Sequence, residues 1–213
     1  MHPQEIPYEA VLFDFDGVLS HGRFYSDRQK TEPEIYKAIE REIFSPPSEK
    51  VFAWMRGKIS SQEINKYLSK KLFLKEATLS EYLKRSASSL ELETKLLNFS
   101  EDLRRRGLKT GIVTDNMDVF TDVVVPANDL DKKFDVIINS ADYGFLKQDK
   151  NGRLFEIALS EIDRPSMGRT LLIDDSRGNC RLFRKKGGES WCYKGIVDFP
   201  QIKNKLYASR VKL

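Results

Sequence analysis

Four times along the chain, a run of three or four apolar residues stops on a polar side chain. Ala10-Val11-Leu12-Phe13 runs into Asp14, Gly111-Ile112-Val113 into Thr114, Val136-Ile137-Ile138 into Asn139, and Leu171-Leu172-Ile173 into Asp174. Runs this short, without polar alternation, suit strands covered on both faces, as in a parallel sheet. Helical patterns lie between the later runs. Leu92, Leu96, Leu97 and Leu103 keep helical spacing up to Gly107, and Leu154, Phe155, Ala158 and Leu159 form a second amphipathic face after Asn151-Gly152. SWCYK, residues 190–194, reads as a final strand. Strands alternating with helices predict an α/β fold, a doubly wound parallel sheet with right-handed crossovers. Ligands bind at the carboxyl ends of the strands in such a sheet, so Asp14, Thr114 and Asp174 are expected to converge there.

From about Gly22 to Leu90 the alternation stops and the chain reads as a succession of helices. Ile35, Ile39 and Ile43 share one face after Pro33, and Pro46-Pro47 ends that helix. Ser60-Ser61-Gln62-Glu63 has the form of a capping box, opening a helix whose apolar face is Ile64, Tyr67, Leu68 and Leu72. A further helix is expected over Ser80 to Ser88. The expected organisation is therefore a Rossmann-like core formed by residues 1–20 and 91–213, with residues 21–90 inserted as an α-helical cap over the site.

Composition narrows the class. The 213 residues, 40% hydrophobic and 32% charged, suffice for a sizeable core. The net charge of +4 is spread along the chain, and Arg104-Arg105-Arg106 and Arg184-Lys185-Lys186 each sit beside an apolar helical pattern. They read as solvated helix faces, so no nucleic-acid partner is expected. Cys180 and Cys192 match no metal spacing and are too few for a disulfide framework, which fits a reducing compartment. The start, MHPQEIPYEA, has no basic-then-apolar leader, and no apolar run reaches the ~20 residues that span a bilayer. A cytoplasmic protein without membrane contact, monomeric or homodimeric, is expected.

Asp14 and Asp16 flank Phe15, and Gly17 follows. By the two-residue period of a strand the two carboxylates point the same way. Like charges this close repel by roughly 4 kcal/mol at an intermediate dielectric. Asp174-Asp175 at the end of another buried run adds two more, and four carboxylates at one sheet edge call for cations. A hard divalent ion with oxygen ligands, Mg2+, is the natural compensation, with Lys147 contributing a second positive charge. The same geometry supplies a nucleophile, since a carboxylate can attack phosphorus and divide one displacement into two through an acyl phosphate. The metal and Lys147 would neutralise phosphoryl oxygens and the Thr114 hydroxyl would donate to another. Anionic neighbours should push the Asp16 pKa upward, which suits an acid that later serves as base.

The motifs DFDGV, GIVTDN, KQD and IDDSRGN, in that order, resemble those of the haloacid dehalogenase-like hydrolases, most of whose members are phosphatases. The resemblance covers nearly the whole chain. It implies Asp14 as nucleophile and Asp16 as acid/base, with the Asp16 backbone carbonyl also on Mg2+. It further implies Thr114 and Lys147 as phosphate ligands and Asp175 as a metal ligand, with Asp174 at a neighbouring acidic position. Asn179 falls where the family often carries another acid. The candidate catalytic set is thus Asp14, Asp16, Thr114 and Lys147. Gly17, Thr114, Asp115 and Lys147 are the candidate phosphate-binding residues, and Asp14, Asp16, Asp174 and Asp175 the candidate metal set. Asp115 stands where asparagine is common, so its side chain must turn from a phosphate and leave the backbone N–H to serve. Gln148 replaces a common proline.

His21, just beyond the first motif, reads as a hinge residue or substrate contact. Phe24, Tyr25, Trp54 and Tyr67 read as core aromatics, with a substrate pocket as the other option. Arg56, Lys58 and Lys66 read as a solvated face. The expected activity is hydrolysis of a small phosphorylated metabolite through an aspartyl phosphate at Asp14. A phosphomutase with the same core chemistry is the alternative, and a non-catalytic phosphate-binding module is the reading from another class. The resemblance disfavours a dehalogenase, since those relatives need no metal and lack the second aspartate.

Overall fold

The computed structural model describes residues 7–45, 48–163 and 165–207. The apolar runs become strands β1 (Ala10–Phe13), β2 (Lys109–Thr114), β3 (Val136–Asn139) and β4 (Thr170–Asp174), and β5 (Glu189–Cys192) follows. All neighbours pair in parallel in the order β3-β2-β1-β4-β5. The central strand β1 is fully buried, and its side chains alternate between two cores. Val11 and Phe13 pack into one with Ile112, Leu171 and Ile173, while Ala10 and Leu12 join Val113, Ile138 and Leu172 in the other. Burying a side chain of this size contributes roughly 1.5–3 kcal/mol. That two-sided cover is why the runs lack polar alternation.

Among the described residues, five α-helices lie between β1 and the next core helix: α1 (Arg28–Thr31), α2 (Pro33–Ile39), α3 (Glu49–Met55), α4 (Ser61–Leu72) and α5 (Glu76–Ser88). The capping box forms as read, with the Ser60 side chain accepting from Glu63 N–H and Glu63 returning to Ser60 N–H. The isoleucine helix differs: α2 ends at Ile39 and a π-helical turn, Glu40–Phe44, carries Ile43 into the core. A spacing of four fits either winding, so periodicity alone does not distinguish them. Helix α5 begins at Glu76, one turn before the expected start. Pro46-Pro47 lies outside the described residues.

The core then continues through α6 (Thr94–Arg105), the short helices α7 (Val125–Ala127), α8 (Leu130–Lys133) and α9 (Ser140–Tyr143), and then α10 (Arg153–Glu161), α11 (Arg177–Lys185) and α12 (Phe199–Tyr207). Gly107, at φ +86°, takes the left-handed position that follows α6. The segments entering and leaving the helical insertion run side by side: Glu93 N–H donates to Leu19 O at 2.8 Å and Ser20 Oγ to Glu91 O at 3.0 Å. No helix among the described residues is long and apolar enough to cross a membrane.

The strand order sets the position of the site. From β1 the chain moves outward to β2 and β3, then returns to place β4 on the other side of β1. Beyond the carboxyl ends of β1 and β4 the connections diverge and leave a crevice. Asp14 follows β1, and Asp174 ends β4.

Candidate active site

A cleft of about 560 Å³ opens at this switch point. Asp14, Asp16, Gly17, Asp115, Lys147 and Asp175 line it from the core side. Thr114 and Asp174 lie behind that surface, both fully buried. Lys147 is the centre of the polar network. It is 1% exposed, and its Nζ reaches Asp14 Oδ2 at 2.6 Å and Asp174 Oδ2 at 2.8 Å. Burial works against the ammonium charge, but Asp14, Asp174 and Asp115 outweigh it and hold the pKa above the ordinary lysine value. Burial also pushes the Asp14 carboxyl well above the usual range, while Lys147 pulls it back.

Asp174 is held from several sides. Besides Lys147, its oxygens accept from Asn179 Nδ2 at 3.1 and 3.2 Å and from Ser176 N–H at 2.8 Å. Gln148 Nε2 in turn donates to Asn179 Oδ1 at 3.1 Å. Gln148 and Asn179, two of the three departures from the usual motif residues, are therefore bonded to each other. Asp175 is exposed to the cleft, and burial followed by the Asp174 charge raises its pKa. Gly17 must be glycine here: its φ is +77°, and a Cβ would stand 2.3 Å from Asp175 Oδ2.

The Asp16 carboxylate opens to the cleft, where Asn116 Nδ2 donates to it at 3.1 Å. Partial enclosure raises its pKa to about 6; the Asp175 charge adds to this, and Lys147 and Arg23 oppose it. Asp115 does turn from the cleft centre, since its Oδ1 accepts the Lys147 backbone N–H at 2.7 Å. The residue whose charge reads as repulsive toward phosphate thus anchors the loop that bears Lys147. Thr114 Oγ1 is buried and has no hydrogen-bond partner among the described residues.

One carboxylate oxygen each from Asp14, Asp174 and Asp175 lies within 4.8 Å of the others. An all-oxygen, multiply anionic donor set of this kind suits a hard divalent cation such as Mg2+. Asp16 adds no side-chain atom to that group. The Thr114 hydroxyl, buried at the end of β2, is a polar atom that the described residues leave without a hydrogen bond.

Sequence reasoning missed the contacts that join the helical insertion to this site. Asp118 accepts from Trp54 Nε1 at 2.7 Å, from Ser61 N–H at 2.8 Å and from Ser61 Oγ. Ser140 Oγ donates to Met55 O at 2.6 Å and accepts at 3.0 Å from the N–H of Asn116, the residue whose side chain donates to Asp16. Arg56, read as a solvated face, instead clamps Asp149 through Nε at 2.8 Å and Nη2 at 3.1 Å. Asp149 also accepts Leu146 N–H at 2.9 Å and so closes the turn that presents Lys147. Only Asn116 carried a sequence signal, inside GIVTDN. Of the other residues weighed, His21 and Phe24 line the cleft, Tyr25 and Trp54 are fully buried, and Tyr67 bonds Glu42.

The fold and site define a hydrolase built on an acidic Rossmann-like switch point. The chain belongs to the haloacid dehalogenase-like hydrolases, whose family profile matches residues 8–181. No curated protein matches the chain significantly. Among solved structures, a predicted hydrolase of this family from Porphyromonas gingivalis is 19% identical, with TM-score 0.72, over 92% of this chain and 97% of its own. A family enzyme from Bacteroides thetaiotaomicron, solved with magnesium and inorganic phosphate, is 16% identical with TM-score 0.71, over 92% and 98%. The L-2-haloacid dehalogenase from Xanthobacter autotrophicus, with chloropropionic acid covalently bound, is 14% identical with TM-score 0.59, over 86% and 76%. At these identities the likeness is one of fold.

Proposed function

We propose that the protein is a Mg2+-dependent phosphatase that hydrolyses a small phosphorylated metabolite through an aspartyl phosphate at Asp14. The observation that carries this reading is the Asp14 carboxylate at the floor of the cleft, held at 2.6 Å by a buried Lys147 beside an all-oxygen acidic cluster. The relative solved with magnesium and inorganic phosphate supports it. Asp14, Asp174 and Asp175, with the Asp16 backbone carbonyl, would hold Mg2+, which when bound supplies charge neutralisation for phosphoryl oxygens.

The protein's own groups divide the remaining work. An Asp14 oxygen attacks phosphorus as the ester P–O bond breaks, and Asp16 delivers a proton to the departing alkoxide. Asp16 then takes a proton from the water that attacks the acyl phosphate, and inorganic phosphate leaves as Asp14 is restored. Lys147 opposes the negative charge at the phosphoryl group, and the Thr114 hydroxyl and the Asp115 and Gly17 backbones complete its cradle. Residues 21–90 act as a cap that excludes bulk water, over a core of residues 1–20 and 91–213.

The test is hydrolysis of p-nitrophenyl phosphate by wild type and Asp14→Asn, with Mg2+ and with chelator. Turnover that needs both Mg2+ and Asp14 upholds the proposal. Release of chloride from 2-chloropropionate without phosphate ester cleavage would replace it with dehalogenation.

A further inference from the structure

The two sides of the cleft differ in chemistry, and the difference specifies what the phosphate is attached to. The insertion contributes Phe24, Phe44, Val51, Phe52, Met55 and Leu90. Its polar side chains at the cleft are His21 and Arg23 alone among the described lining residues; it supplies no carboxylate, amide or hydroxyl. The Arg23 guanidinium is a fixed positive charge at the cleft and suits the anionic phosphoryl end of a ligand rather than its alcohol. Phe52 is 43% exposed, while Phe44 and Met55 are half-buried, so apolar surface faces the open cleft.

A sugar or polyol held here would set several hydroxyls against hydrocarbon. Each hydroxyl both donates and accepts, and one left unpaired on desolvation lowers affinity sharply. A hydrocarbon leaving group would instead cover Phe44, Phe52 and Met55 and gain from leaving water. We infer that the substrate is a phosphate monoester of a predominantly apolar alcohol, aliphatic or aromatic, with the hydrocarbon lying against the insertion. This rests on the phosphatase reading for its chemistry, but the apolar subsite is measurable without turnover.

Two measurements separate the inference from that reading. First, wild-type protein with Mg2+ is titrated calorimetrically with methyl-, butyl-, hexyl- and benzylphosphonate, which have no ester bond to cleave. Affinity should rise roughly fourfold for each methylene added until the cleft is filled, and Phe52→Ser should flatten the series. Affinity that does not change with chain length would overturn the inference. Second, kcat/KM is compared for hexyl phosphate, glycerol 3-phosphate and glucose 6-phosphate, all primary esters, of which the two polyols are the better leaving groups, so that leaving-group chemistry alone disfavours the hexyl ester. A preference of about tenfold or more for the hexyl ester is expected, and equal or better turnover of the polyol esters would overturn the inference. If no ester is cleaved at all, the phosphatase reading fails, and the phosphonate series still decides the subsite.

Discussion

On the core side of the cleft, Asp14, Asp16, Asp115 and Asp174 each have a named hydrogen-bonding or ionic partner; on the insertion side, aromatic and thioether side chains face open space. The core wall is tied together by its own hydrogen bonds and ion pairs. Its donors and acceptors are fixed at short distances, and Lys147 links two strand ends through Asp14 and Asp174. The insertion wall has shape and apolar area but little directional bonding. A reaction common to many esters needs the first kind of wall, and choice among esters needs the second. The two walls meet through a few polar contacts: Asp118 with Trp54 and Ser61, Ser140 with Met55, and Asp149 with Arg56.

The contrast predicts that damage to the core wall far exceeds damage to the insertion wall. Asp14→Asn should lower turnover of p-nitrophenyl phosphate with Mg2+ by about 10^6-fold, the scale for removing a covalent nucleophile. Steady-state assay checks this, and a loss under tenfold would break the comparison by removing Asp14 from the chemistry.

Lys147→Met should reduce unfolding free energy by about 3–5 kcal/mol, because it leaves two buried carboxylates without their cation. Urea denaturation without Mg2+ measures it. A change below about 1 kcal/mol would show that Asp14 and Asp174 have other means of neutralisation.

Asp118→Ala removes the acceptor for Trp54 and Ser61, and should cost about 1–3 kcal/mol. Limited proteolysis should then cut first within residues 21–90. Cleavage spread evenly over the chain would mean that Asp118 supports the core rather than the junction.

Arg56→Met gives the smallest effect, at most about 1 kcal/mol after allowing for solvent screening of a partly exposed pair. Arg56 lowers the Asp149 pKa, with the Leu146 N–H assisting against burial. A depressed carboxyl contributes stability that is fully present above its unfolded pKa of about 3.9 and disappears as pH falls through the lower folded value. The Tm difference between wild type and variant should therefore be largest near neutral pH and close up in acid. A difference that grows in acid would reverse the sign and refute the pairing.

The apolar runs predicted β1 to β4 within a few residues because a doubly covered strand can be written in few other ways. The pattern predicts a final strand over 190–194, whereas β5 runs over Glu189–Cys192, half-buried at the sheet edge, where apolar continuity is a weaker marker. DFDGV and IDDSRGN pointed to carboxylates that the fold brings into one cluster, since each motif directly follows or ends a buried strand. Partner choice was hidden. Asp115 read as a threat to phosphate because its type showed a charge, whereas its direction depends on the Lys147 backbone, a neighbour only in space. Arg56 and Asp118 are ordinary surface types, and spacing along the chain says nothing about a carboxylate or an indole facing them across a junction.

The central place of β1 also bears on how the chain is made. Residue 10 pairs with residue 109 on one side and residue 170 on the other. The first strand of this sheet to leave a ribosome is therefore among the last of its strands to gain both neighbours. Contacts this distant in sequence slow folding, because a long loop must be closed before they form. Until β4 is synthesised, Ala10–Phe13 exposes an apolar edge with Asp14 at its end, and Lys147 has only one of its two carboxylates. A chain that ends before β4 would thus hold no finished acidic cluster, so binding of a divalent cation would report the docking of β4 rather than an early step in folding.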